Sequence, residues 1–219
     1  MPNAEPIPTR EPIAAYTLIG GAAVGVVAMA LHPTGHEIHA APDAAAALLR
    51  NEIVHATAIV VVLLQTFGSI AIVRRVRGTS VGLAQLALVA QCTAATAATI
   101  AAICSGFVMP AHLRSAVAND ASQVAGDVLW QCNQAFARLF MISGSAAIAA
   151  WSVAGWRRLP RTTCGIGVAV GITTAALVIA GHLRPSVHGM GAVVLGHAIW
   201  WLLAGVALLG RVPACSGTP

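Results

Sequence analysis

The sequence predicts an all-α integral membrane protein: one bundle of six transmembrane helices over residues 1–219, with both termini cytoplasmic. Three observations predict it. Hydrophobic residues make up 58% of the 219 and charged residues 9%, against about 25% charged in an average soluble domain. So few charges cannot cover a water-facing surface, and lipid must be the solvent. The apolar residues fall in six continuous runs, each long enough to supply the roughly 20 residues that a helix needs to cross a bilayer. The arginines gather in alternate links between those runs.

The runs are 13–31, 53–73, 81–109, 128–156, 163–180 and 189–210. The first exceeds the apolar part of a secretion signal and has no convincing cleavage site before His32, so it reads as a retained span. The third and fourth exceed one crossing and must tilt or project. All six are continuous and rich in Ala, Leu and Gly, which excludes an alternating β-barrel pattern. Between them, residues 32–52 and 110–127 form two long links expected outside the cell. Within the first, residues 43–50 read as a short amphipathic helix lying at the interface.

Arginine placement sets the expected orientation. Arg74, Arg75 and Arg77 follow the second run, Arg157, Arg158 and Arg161 follow the fourth, and Arg10 and Arg211 flank the termini. Only Arg50, Arg114 and Arg184 fall on the other side, together with Glu37, Asp43, Glu52, Asp120 and Asp127. The positive-inside rule therefore puts both termini in the cytoplasm of a cell (inner) membrane of bacterial type.

Composition also excludes functions. All twelve basic residues are arginine, so no lysine can form a Schiff base with retinal or a substrate. The net charge of +5 is spread in short clusters between apolar runs and does not suggest nucleic acid. Five cysteines without a CxxC pair suggest neither a zinc ribbon nor a redox motif. Cys104 and Cys132 sit towards the outer ends of their runs, where they read either as a disulfide or as small buried hydrophobes.

The histidines carry the functional expectation. All eight (32, 36, 39, 55, 112, 182, 188 and 197) fall on the side opposite the arginine links. Neutral imidazole is a common ligand for copper, iron and zinc. Glu52 and His55 are spaced Glu-x-x-His, which puts a carboxylate and an imidazole near one face of a helix. The expected site is a pocket in the outer third of the membrane built from Glu52, His55, His182, His188 and His197. It would hold a transition metal, or haem b between His55 and His182 or His197. His32, His36, His39 and His112 are secondary candidates. The bland alternative is that these imidazoles simply suit the headgroup region. Met109 and Met190 lie near the same boundary and would favour copper.

A second signal is polar. Gln131, Gln134, Arg138 and Met141 recur at helical spacing in the fourth run, and an ionisable residue inside a span is costly. That stripe is expected to face the bundle. There Arg138, Gln134, Gln131 and Gln91, with Gln65 nearby, would bind a small anionic or polar ligand or pair with Glu52. Trp130 suits one aromatic belt, and Trp151 with Trp156 the other. Trp200 and Trp201 read as packing or as a cofactor wall.

Three function classes remain open: a metal- or haem-dependent membrane oxidoreductase, a transporter of a small solute or metal ion, and an accessory subunit of a larger complex or a homo-oligomer. The polar residues thin out towards the arginine side, which favours a one-sided pocket over a through-path.

Overall fold

The computed structural model describes residues 11–34, 44–76, 80–115 and 120–210. Six helices in them are long and apolar enough to cross a membrane, and no strand occurs among the described residues. The protein is a multi-pass membrane bundle. α1 is Pro12–Ala30, opened by a proline at its first position, where no backbone N–H is needed. α2 is Ala44–Arg75 and ends in Arg74 and Arg75, which suit the negative end of its dipole. α3, Val81–Ile103, runs through a π-helical turn at Cys104–Val108 into α4, Met109–Ser115. α5 is Asp120–Ala154, α6 is Arg161–Ile179 and α7 is Val187–Leu209.

Two boundaries differ from expectation. Residues 44–50 are the first turns of α2, not a separate interfacial helix, so the first link is shorter than 32–52. Apolar Ala45, Ala47 and Leu48 continue the helix with no breaker between them and Ile53. The second link, 110–127, is largely helical, shared between α4 and an α5 that starts at Asp120. α2 and α5, of 32 and 35 residues, are therefore about 50 Å long at 1.5 Å per residue and project past the hydrocarbon.

α1 packs against α2 and α7, α3 against α2 and α5, and α6 lies mainly against α5. Close approach is made by small residues, as lipid offers no hydrophobic drive between helices. A Cβ on Gly68 would fall 2.5 Å from Leu18, and one on Gly171 would fall 2.5 Å from the Ser145 carbonyl oxygen. Alanines 84, 87, 94, 97 and 101 line the buried stripe of α3. Large apolar residues such as Phe67, Leu86, Ile172 and Val206 stay exposed, as lipid-facing residues do.

The end of the bundle that carries the arginines is solid. Trp151, Trp200 and Trp201 are fully buried there with Leu18, Ile72 and Ile148. Trp151 stacks on Trp200 with centroids 5.9 Å apart, Trp201 meets Trp200 edge-on at 4.8 Å, and Trp151 Nε1 donates to the Ala84 carbonyl at 3.1 Å. Arg75 Nη2 donates to the Gly210 carbonyl at 2.8 Å, tying the end of α2 to the end of α7.

Candidate functional site

Towards the opposite end the helices part around a cavity of about 240 Å³. α1, α2, α3, α5 and α7 all line it, and α6 does not. Its walls are mostly Ala and Val, with Met29, Met190 and Phe140. Its polar groups are His32, His55, His197, Gln65, Ser105, Asn133, Gln134 and Ser186, and among the described residues no Asp, Glu or Arg lines it. Trp130 and Ser186, both exposed, mark its mouth.

His32 and His55 meet inside it edge to face, with ring centroids 4.9 Å apart. Each ring is pinned by a backbone carbonyl close to it in sequence. His55 Nδ1 donates to the Asn51 carbonyl at 2.8 Å, and His32 Nδ1 donates to the Pro33 carbonyl at 2.8 Å. A carbonyl can only accept, so both Nδ1 atoms carry the proton and both neutral rings keep a bare Nε2 lone pair. Burial holds His32, in the link beyond α1, below the ordinary imidazole pKa, and the Pro33 bond offsets part of that shift. It is therefore neutral at neutral pH.

The π turn seats His55. Asn51 Nδ2 donates 2.9 Å to the Ser105 carbonyl, which lies in the widened turn. At the next residue, a Cβ on Gly106 would lie 2.3 Å from His55 Cβ. Only glycine lets the turn close on the imidazole's base. π turns of this kind recur at functional sites. The sequence reading missed Asn51, Ser105 and Gly106. The extra residue of a π turn breaks helical spacing, and the one available signal was a glycine inside an otherwise apolar run.

His197 lines the cavity from α7, 5% exposed, with Nε2 2.9 Å from Ser145 Oγ and its ring edge-on to Phe140 at 5.9 Å. Gln134 also lines it, its Nε2 donating to the Pro185 carbonyl at 3.2 Å.

The other expected donors go elsewhere. Glu52 accepts from Arg114 Nη2 at 2.6 Å, outside the cavity, because Arg114 at the end of α4 reaches it there. His182 is exposed. Gly181, at φ 77°, ends α6 in a Schellman turn in which the His182 amide bonds the Leu177 carbonyl, and the chain leaves the bundle there. His188 is exposed too, since it precedes His197 by nine residues, or two and a half turns, and faces the other way. His112 bonds the Ser122 carbonyl at 3.0 Å, joining α4 to α5. His36 and His39 lie outside the described residues. Among the described residues no three of His, Cys, Asp and Glu are placed to share an ion, so the expected Glu52–His55–His182–His188–His197 set does not form.

The polar stripe is also corrected. Gln134 faces the cavity, but Arg138 and Gln131 are exposed, because the inward face of α5 runs through Gln134, Ala137 and Met141. On the outer surface Arg138's long stem can lead its charge to the polar boundary. Gln91 is buried, donates to Thr66 Oγ1 at 3.4 Å and cross-links α3 to α2 away from the cavity. Cys104 and Cys132 are free thiols.

Of the histidines expected to flank a haem with His55, His182 is exposed and His197 has its Nε2 against Ser145 Oγ, so neither is presented to His55 as an axial partner. Compared with known proteins, the chain matches no family model, no curated protein and no solved structure.

Proposed function

We propose that this membrane protein holds a soft transition-metal ion, copper in its Cu(I) state, between the Nε2 atoms of His32 and His55. One observation carries the reading: both rings donate Nδ1–H to a backbone carbonyl. That is the outer-shell bond that metal-ligating histidines make to fix the free nitrogen towards the ion. The donor set then selects the metal. Zinc wants three or four protein ligands, whereas Cu(I) accepts two imidazoles with soft thioethers. Met29 and Met190 line the same cavity. The neutral lining also suits a singly charged ion better than a doubly charged one.

The site belongs on the outer face of a cell membrane, with the arginine links and both termini in the cytoplasm, by the positive-inside rule. Copper there would supply one-electron chemistry, so a membrane oxidoreductase is the activity in keeping with the site. Passage across the membrane is disfavoured by the buried tryptophans that fill the far end of the bundle.

The test is copper loading of the purified protein under reducing conditions, read by elemental analysis. The expected result is about one copper per chain, lost in His32→Ala and His55→Ala and retained in His182→Ala and His188→Ala. Equal loading of the wild type and His55→Ala would end the proposal.

A further inference from the structure

An ion occupies only the His32–His55 end of the cavity. The remaining space needs an occupant, and its lining restricts which. No charged side chain among the described residues faces it, so neither an anion nor a cation would find a counter-charge there. Arg138, the one basic residue inside that span, is exposed on the outer surface of α5. Its walls of Ala, Val and Phe140 call for an apolar body. The volume of about 240 Å³ lies below the usual range for drug-sized ligands, about 300–1,000 Å³. Among the polar groups that line the cavity, Gln134 is the one held by a bond to the Pro185 carbonyl near the mouth. One of its two amide N–H groups is committed to that carbonyl, so it can offer a ligand the acceptor Oε1 together with its second N–H, a pairing that a hydroxyl matches and an ether does not.

We infer that the cavity takes a small, neutral, largely apolar molecule bearing a hydroxyl group, of the alkylphenol class, whose O–H donates to Gln134 Oε1. This rests on the reading of the cavity as the functional site, but it does not require the metal. The mouth beside Trp130, an indole 57% exposed, gives such a molecule access from the membrane boundary.

The probes are 4-butylphenol and its methyl ether, which differ only in the donor. Both are titrated into the purified protein in detergent, once with copper loaded and once with copper chelated, and binding is read by tryptophan fluorescence and by Tm. The phenol is expected to bind saturably and roughly three- to tenfold tighter than the ether, the worth of one hydrogen bond. Gln134→Leu should remove that preference. Ala137→Phe and Ala58→Leu, which fill the cavity from different helices, should each weaken both probes. Equal binding of phenol and ether, an unchanged preference in Gln134→Leu, or unchanged binding in both filled variants overturns the inference. Copper occupancy is measured in the same samples. Phenol binding without copper stoichiometry sinks the metal reading and leaves this one standing, and copper without phenol binding does the reverse.

Discussion

The two ends of this bundle are built from the same helices and solve opposite problems. At the arginine end, α5 and α7 bring Trp151, Trp200 and Trp201 together until nothing but side chain remains. At the other end, the same two helices contribute Gln134, Phe140, Met190 and His197 to a hollow. The difference lies in residue size and in one interruption. Large rings fill the first end. At the second, alanines leave space and the π turn at Cys104–Val108 draws α3 around His55. Close packing at one end lets the other keep an unfilled site, since a membrane bundle gains stability from packing and buried hydrogen bonds.

The comparison breaks most visibly at the solid end. Trp200→Ala should cost about 3–5 kcal/mol, as large-to-small changes in a core do, and it should leave copper stoichiometry in the surviving folded fraction unchanged. Trp200→Phe should be much milder, because Trp200 Nε1 has no partner to lose among the described residues. Thermal unfolding in detergent checks both. If Trp200→Ala abolished copper binding while the bundle stayed folded, the two ends would not be separable.

Gly106→Ala probes the hollow end. Its Cβ would fall on the stem of His55, not on a movable tip, so the π turn must shift. Overpacking of this kind costs about 1–3 kcal/mol. The displaced imidazole should also weaken copper binding by about 10–100-fold, the usual effect of disturbing a ligand's support. A variant destabilised without any loss of copper would mean that the turn does not seat His55.

The pH dependence is smaller in reach. The pKa of His32 lies below the ordinary 6.5 because burial disfavours the charged ring. A group favoured neutral in the fold contributes stability that is present above the unfolded value and is lost as pH falls below it. Copper retention and Tm should therefore both be flat above pH 6.5 and decline below it, with the decline in Tm reduced in His32→Ala. A fall beginning well above 6.5 would contradict the buried neutral ring.

The smallest effect is expected at Glu52→Gln. The Glu52–Arg114 pair is solvent-accessible, and exposed pairs are worth about 0–1 kcal/mol. Copper binding should not change at all. A loss would restore Glu52 to the site.

What the sequence revealed, and what it hid, follows the same division. The six spans were legible because lipid imposes length and apolarity on every one of them. That the described histidines lie towards the end away from the arginine links was legible from the arginines. The partner of each histidine was not. Glu52 and His55 share a helix face closely enough to suggest one ion, yet sixty degrees of rotation sends the carboxylate to Arg114 and the imidazole inward. His32, a secondary candidate, became the partner of His55 because α1 ends beside α2 at that depth, which spacing along the chain cannot show. Arg138 illustrates the reverse error: a costly residue invites burial, but one long stem made the outer surface affordable.

The tryptophan floor has a last consequence for how occupancy would behave. A chamber entered beside Trp130 and Ser186 exchanges with the compartment on that side, and the fraction filled would track the concentration there. Between the chamber and the opposite face stand three interlocked indoles.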